Sequence, residues 1–323
     1  MSRYIITGFS GFVSYFFLDY LSSVSDSQQE ILGLDIAPPA DFDKWHFAHL
    51  HISFQTINLL DKNAVSECIE TFKPDFILHL AAISSVKASW TDPASCFTNN
   101  TEIFLNLAEA LKKQHSTCRI LCIGSSEEYG TPRTTGDLPF SEEMPPRPEN
   151  PYAVTKSSQE NLAKCYVSAF SLNILLTRSF NHIGPRQRDS FVVAAFCKQV
   201  AQASRDGLKQ LEMTTGNLSV IRDFLDVRDV AKAYYLLLQK GVPGQVYNVC
   251  SGTGIPLKTI IDTLADISGI EIVTKTNPAL LRPNDIPEVR GSNAKLSEAT
   301  GWNRSFTLKE TLSDIYEYWK TVI

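Results

Sequence analysis

The chain has 323 residues, 43% apolar and 20% charged, enough for one large α/β domain or two interlocked smaller ones. Its formal charge of −5 argues against a nucleic acid or an anionic membrane as the main partner. A phosphate-bearing small molecule, which needs only a few local cations, stays open.

Strand-like runs at 2–7, 31–35, 52–57, 75–82, 118–124 and 172–179 alternate with amphipathic helical patterns at 11–23, 61–72, 95–113 and 151–170. Nearly continuous apolar strands separated by helices predict a parallel sheet covered on both faces, a doubly wound α/β (Rossmann) fold. Beyond residue 180 the pattern loosens. Helices are expected at 190–205, 227–240, 256–269 and 307–321, and short strands near 209–213, 218–224 and 245–250, with proline and glycine punctuating 277–291. The expected division is a dinucleotide-binding part at 1–179, rejoined by segments around 225–249. Residues 180–323 would form mainly a smaller, interleaved substrate-binding part, with a cleft between the two. Met1 runs almost at once into the first strand, and no apolar run nears the ~20 residues that span a bilayer. Seven scattered cysteines without a CxxC pair read as buried free thiols in a reducing cytoplasm.

Ligands of such folds gather at the carboxyl ends of the strands. "TGFSGFVS" follows the first strand: Gly8 permits a tight turn and Gly11 lets a pyrophosphate approach the helix N-terminus, with Ser14 as the third small residue. The spacing is G-x-x-G, which an ordinary strand–helix turn would share. Asp35 ends the second strand at the distance expected of a carboxylate on an adenosine ribose, and no arginine follows at once. That favours NAD(H), with NADP(H) as the alternative. Asn58 suits an adenine edge, with Leu59 stacking beside it.

The loop after the fifth strand, "GSSEEYG", crowds two hydroxyls, two carboxylates and a phenol together. Tyr152 and Lys156 in "YAVTK" share one helix face four residues apart, where a cation would lower the phenol's pKa. Ser125 would donate to the same substrate oxygen, and Asn100 would hold this loop in place. Tyr316 and Lys320 repeat the spacing in the last helix, where nothing else suggests a site. Glu128 and Tyr129 are read as shaping the loop. Arg178, Asn181, Arg222 and Arg282 fall in loops or strand ends of the second half, where arginine forks suit a diphosphate. Arg228 is expected to pair with a neighbouring aspartate. His79 and His182 read as structural, and His46, His49 and His51 as a loop rather than a metal site.

"TGFSGF", "HLAA", "GSSEEYG", "PYAVTK", "RSFNHIGPRQ" and "RDFLDVRD" occur in the order and spacing of the extended short-chain dehydrogenase/reductases that act on nucleotide sugars. The chain resembles that family along essentially its whole length. "AAISSVKASW", "VYNVCSG" and "LRPNDIP…GSN" are most similar to its reductases of GDP-4-keto-6-deoxy sugars. The resemblance implies a GDP-sugar substrate and hydride transfer from NAD(P)H to a 4-keto group. Ser125, Tyr152 and Lys156 would do the chemistry, Lys156 also bonding the nicotinamide ribose. It places Phe12, Ala81, Ala82, Asn100, Phe180 and Ile183 at the cofactor. Ser126, Asn181, Arg222 and Arg282 fall at the substrate, and Arg282 near its diphosphate or ribose. Relatives pair as homodimers through the helices represented by 95–113 and 151–170. Two alternatives remain. Glu127 sits where GDP-mannose 4,6-dehydratases carry a base, so a dehydratase or 4-epimerase that retains its nicotinamide is one. A non-catalytic dinucleotide sensor is the other, disfavoured because serine, tyrosine and lysine are all present.

Overall fold

The computed structural model describes residues 1–280 and 286–323. Its first part alternates β1 (Arg3–Thr7), α1 (Phe12–Val24), β2 (Gln29–Asp35), β3 (Leu50–Thr56), α2 (Lys62–Phe72) and β4 (Phe76–His79). Then come α3 (Val86–Thr91), α4 (Pro93–Lys113), β5 (Arg119–Ser125), α5 (Pro151–Phe170) and β6 (Asn173–Ser179). The remainder holds β7 (Asn181–Ile183), α6 (Val192–Arg205), β8 (Gln210–Thr215), β9 (Ile221–Asp226), α7 (Val227–Lys240) and β10 (Val246–Val249). It ends with β11 (Gly254–Pro256), α8 (Leu257–Ser268), β12 (Glu271–Thr276), β13 (Glu288–Val289), α9 (Ala294–Thr300) and α10 (Leu308–Val322).

Seven strands pair in parallel in the order β10-β6-β5-β4-β1-β2-β3. The chain lays down β1 to β3 toward one edge, then returns to place β4, β5 and β6 on the other side of β1. The crevice between the carboxyl ends of β1 and β4 is therefore the switch point where a doubly wound sheet binds ligands. Central strands are apolar because both faces are covered. Ile5 and Ile6 of β1 are fully buried, one in each of the two cores that flank the sheet. On one face Phe16, Phe17 and Leu18 of α1 meet Tyr234, Leu237 and Leu238 of α7. On the other, Ile69 of α2, Phe104, Leu107 and Leu111 of α4 and Ala163 of α5 pack together. Side chains such as Phe17 and Phe104, with no exposed surface, each contribute about 1.5–3 kcal/mol by leaving water. The edge strand β3 alternates half-buried and exposed residues instead.

After β6, α7 and β10 rejoin this layer: α7 packs on α1, and Val246 of β10 pairs with Leu176 of β6. The other elements build a third core from α6, α8 and α10, around Phe196, Ile260, Leu264 and Ile315. A small sheet, β11-β9-β13 with β7 beside β9, lies between the two regions in the chain's path. Strand 75–82 of the sequence reading is shorter, Phe76–His79: His79 pairs with Thr7, and Leu80 N–H makes the last ladder bond to the Thr7 carbonyl at 3.1 Å. The six-residue α3 and the two- and three-residue strands β7, β11 and β13 are too short to leave a hydrophobic period. One thiol departs from expectation: Cys165 is exposed, while the other six are buried.

Candidate active site

Gly8 at the end of β1 has φ +67, and a Cβ there would lie 2.7 Å from the Ala81 backbone nitrogen. Two requirements, a left-handed turn and a close approach of backbones, thus select glycine. Gly11 N–H bonds the Gly8 carbonyl at 3.0 Å, and Gly11 is the N-cap of α1. No side chain among the described residues caps that helix, and its first turn holds no acid. Its leading N–H groups and positive dipole end therefore face the switch-point crevice, a fit for the pyrophosphate of a dinucleotide. Ser14 is fully buried and donates to the Gly11 carbonyl at 2.6 Å, so the small residue seats α1 on the sheet. Phe12 stacks on His182 with centroids 5.6 Å apart. Asp35 ends β2 and accepts from the N–H groups of Ser10 and Ile36 at 2.9 and 2.7 Å, fixing its carboxylate at the rim of the turn. Ala81 and Ala82 line the loop after β4, half-buried. Asn58 is exposed, its Oδ1 accepting from Leu60 N–H at 3.0 Å. Leu59 corrects the sequence reading: its side chain is buried in the α2–α4 core rather than offered to a ring.

Ser125 closes β5, and Tyr152 and Lys156 project from the first turns of α5; all three are buried. Burial pushes the Tyr152 phenol well above the usual tyrosine range, and the neighbouring Ser125 hydroxyl opposes that shift without overcoming it. The Lys156 ammonium is engaged by the Ile123 carbonyl at 2.8 Å and Gln159 Oε1 at 3.3 Å. Burial pulls Lys156 down to about 8, opposed first by Glu128. Asn100 is 1% exposed and spends its amide on Ile83 N–H and C=O and on Thr155 Oγ1. It ties the loop after β4 to α5.

The buried side of α5 is unusual in chemistry. Thr155, Lys156, Ser157, Gln159 and Glu160 are all buried, where a flanking helix ordinarily presents apolar residues. Arg178 of β6, expected to be available to a diphosphate, is 1% exposed and locked to Glu160 by two bonds of 2.9 and 2.8 Å. Its guanidinium also lies 4.6 Å over the Tyr129 ring, so it is a structural cation. Tyr129 stacks on Phe140 and donates to Asn248 Oδ1 at 2.7 Å, shaping the loop as expected.

Several contributors escaped the sequence reading. Asn150 caps α5, Oδ1 accepting from Ala153 N–H at 2.9 Å, while its Nδ2 donates to Glu127 Oε2 at 2.8 Å. Ser89 of α3 accepts from Tyr152 N–H at 3.2 Å. Glu128, treated as loop scaffolding, is fully buried and accepts from Ser125 N–H at 2.8 Å. A "PENP" cap signal before α5 was the one available clue, pointing to Asn150.

In the second half Asn181 is exposed on β7, paired with Phe224 of β9, two residues beyond Arg222. Arg222 is half-buried and donates to the Ile221 and Ile286 carbonyls. Arg282 lies outside the described residues. Ser126 is buried in the turn after β5. Phe180 and Ile183 are buried in apolar clusters, Phe180 close against Gly291, where even a Cβ would come within 2.5 Å of its ring. Arg228 pairs with Asp226 at 2.7 Å. His182 bonds the Phe180 carbonyl at 3.2 Å and His79 bonds Thr7 at 2.7 Å; burial pulls His79 down to about 3. His51 belongs to β3 rather than a loop. Tyr316 is buried on α10, with Lys320 held by Glu317 at 3.0 Å.

A buried serine, tyrosine and lysine beside a dinucleotide-shaped turn is a constellation for proton transfer coupled to hydride transfer. The chain is 40% identical over 248 residues to the GDP-6-deoxy-D-mannose reductase of Pseudomonas aeruginosa, covering 77% of this chain and 81% of that protein. It is 29% identical over 265 residues to the GDP-6-deoxy-D-talose 4-dehydrogenase of Aggregatibacter actinomycetemcomitans, covering 81% and 86%. The structure of RMD from Pseudomonas aeruginosa complexed with NADPH superposes with a TM-score of 0.86 at 34% identity, covering all of both chains. The NAD complex of Thermus thermophilus UDP-glucose 4-epimerase reaches 0.84 at 26% identity, covering 99% of this chain and 100% of that one. No helix of the described residues is long and apolar enough to cross a membrane. With residues 5–315 matching its family model, the chain belongs to the GDP-mannose 4,6 dehydratase family, as an extended short-chain dehydrogenase/reductase enzyme.

Proposed function

We propose that the protein is a GDP-6-deoxy-D-mannose reductase, reducing the 4-keto group of a GDP-4-keto-6-deoxy-hexose to give GDP-6-deoxy-D-mannose (GDP-D-rhamnose). The observation that carries this reading is the 40% identity to the Pseudomonas reductase, in a chain whose Ser125, Tyr152 and Lys156 all stand buried beside the turn. A bound reduced nicotinamide dinucleotide supplies the hydride. Tyr152, its phenol held protonated by burial, gives its proton to the carbonyl oxygen as that oxygen gains charge. Ser125 donates a hydrogen bond to the same oxygen, polarising the ketone. Lys156 keeps a positive charge beneath the tyrosine, stabilising the phenolate left behind until solvent reprotonates it. The buried position of all three keeps this exchange out of bulk water.

The finer assignments belong to the same reading. The uncapped end of α1, with Gly8, Gly11 and Phe12, holds the dinucleotide, and the Asp35 carboxylate favours NADH by repelling a 2′-phosphate. NADPH is the competing cofactor, since the Pseudomonas neighbour was solved with it. Asn181 and Arg222 on adjacent strands, with Ser126 and Arg282, take the nucleotide sugar. Residues 1–179, with α7 and β10, form the dinucleotide part, and most of 180–323 the sugar-nucleotide part. A cytoplasmic homodimer through α4 and α5 completes the proposal.

A second reading, GDP-mannose 4,6-dehydratase, is favoured by one observation: the half-buried Glu127 carboxylate in the turn after β5 is held at 2.8 Å by Asn150, the cap of the helix that carries Tyr152. The test is to supply GDP-4-keto-6-deoxy-mannose with NADH or NADPH and follow reduced-nicotinamide absorbance. Stoichiometric oxidation, faster with NADH, is expected. Turnover of GDP-mannose without added reductant would overturn the reductase, and a preference for NADPH would overturn the role of Asp35.

A further inference from the structure

Beneath Ser125 lies a carboxyl group that the proposed chemistry does not use. Glu128 has no exposed surface. Its Oε1 accepts from Ser125 N–H at 2.8 Å, one half of a capping box around the turn Ser126–Tyr129. The fit is tight: a Cβ on Gly124 would fall 2.5 Å from that oxygen. The other oxygen, Oε2, is buried without a hydrogen-bond partner among the described residues. A buried carboxyl oxygen with no donor is a costly arrangement for a purely structural cap, which a smaller neutral side chain could provide.

The surroundings show what the charge could act on. From α5, Tyr152, Lys156 and Glu160 face the group; from β6, Arg178 does; Glu127 lies beside it in the turn. Arg178 and Glu160 neutralise each other through their two-bond pair. Lys156, whose other ionisable neighbours are the Cys122 and Cys96 thiols and the buried His79 imidazole, is left with Glu128 as its facing carboxyl. We propose that Glu128 is a positioning residue of the reductase centre, holding Ser125 by its backbone N–H and supplying the anion that keeps Lys156 charged in alkali. The inference rests on the reductase reading for its substrate, not for its electrostatics. Burial first, and Glu160 second, push the Glu128 carboxyl well above its ordinary range, while burial pulls Lys156 down and Glu128 opposes that pull. Both side chains are anchored at the end of β5, on Ser125 N–H and the Ile123 carbonyl, each at 2.8 Å. As the medium turns alkaline, ionisation of Glu128 opposes loss of the Lys156 proton.

Glu128→Gln keeps an acceptor for Ser125 and removes the charge; Glu128→Met fills the space and removes both. With GDP-4-keto-6-deoxy-mannose and NADH, E128Q is expected to keep kcat at pH 7 within about threefold and KM within about twofold. Its alkaline loss of kcat should move to lower pH by about half a unit or more. E128M is expected to lose about tenfold in kcat, because Ser125 loses its anchor. A folded E128M whose kcat and pH profile overlay the unsubstituted enzyme would overturn the proposal. A second measurement needs no substrate. Infrared titration of the whole protein should show a buried protonated carboxyl that ionises well above the ordinary carboxylate range and is missing in E128Q. Its absence overturns the proposal even if neither variant folds. If the unsubstituted enzyme leaves the keto sugar untouched and turns over GDP-mannose, the reductase reading fails alone, and the same pH comparison is made on that turnover.

Discussion

Asn150 makes two contacts that can be separated by substitution. Its Oδ1 caps α5 through Ala153 N–H at 2.9 Å, and its Nδ2 holds Glu127 Oε2 at 2.8 Å; both are full-strength hydrogen-bond lengths. Pro151 follows at the first helical position, so the cap sets where the helix begins, and Tyr152 comes one residue later. Asn150→Ala removes both contacts, Asn150→Ser keeps a cap and drops the tether, and Asn150→Asp keeps the cap while facing Glu127 with a second carboxylate. Losing the cap costs about 1 kcal/mol, a fall in Tm of about 2 °C for a chain this long. Losing the tether frees a half-buried carboxylate next to the phenol; a charged hydrogen bond discounted for solvent is worth about 1 kcal/mol, or about fivefold in kcat.

The expected ranking therefore differs between two assays. In thermal unfolding, N150S stays close to the unsubstituted protein and N150A falls below it. In steady-state reduction of the keto sugar, N150S and N150A both lose about fivefold in kcat, and N150D loses more through repulsion of Glu127. N150S as unstable as N150A would refute the cap, and N150D with undiminished kcat at pH 8 would refute the tether.

Tyr152→Phe should abolish reduction while Tyr316→Phe leaves it within about twofold, measured by nicotinamide oxidation on folded protein; a dead Y316F beside an active Y152F would reverse the site assignment. Glu160→Gln leaves the Arg178 guanidinium buried without its anion and should cost about 3–5 kcal/mol in urea unfolding at pH 7. Hydrogen bonding and charge from Arg178 hold the Glu160 carboxyl below its ordinary range despite the opposing effect of burial, so its contribution is present above the unfolded carboxylate's pKa. It is lost as pH falls through the depressed folded value, and the gap between E160Q and the unsubstituted protein should narrow below about pH 4. A gap that persists unchanged into acid would mean Glu160 acts by packing alone.

The strands β1, β4, β5 and β6 were legible because burial on two faces forces an unbroken apolar run, which periodicity detects. The strands β7, β11 and β13 were not, since two or three residues carry no period, and their pairing is decided by partners far along the chain. The site divides along the same line. Gly8, Asp35 and Ser125 were readable because each stands at a strand end, where local sequence and position in the fold coincide. Arg178 misled because its partner Glu160 lies on another element, and a buried ion pair looks like a phosphate ligand until both ends are placed. Leu59 misled similarly: an apolar residue after a strand suits a ring or a core, and here Asn106 of α4 draws the backbone of Leu59 inward at 2.9 Å.

The two tyrosine–lysine pairs show what spacing leaves undetermined. Both stand four residues apart on a helix, and both tyrosines are buried. Lys156 is 4% exposed and bound to the Ile123 carbonyl, whereas the Lys320 side chain is 40% exposed and paired with Glu317 on its own helix. Lys320 lies over the Tyr316 ring at 5.1 Å, but a cation so open to water is screened and keeps its proton through the neutral range. A cation buried against a sheet end, with burial pulling it down to about 8 and a carboxyl opposing that pull, has a charge state that its surroundings control. That control depends on Glu128, Gln159 and the ends of β5, residues that share no motif with "YAVTK" and meet it only once the sheet is closed. A tyrosine–lysine spacing therefore identifies a helix face, and the polar burial beneath that face is what singles out Tyr152 and Lys156 as the candidate pair.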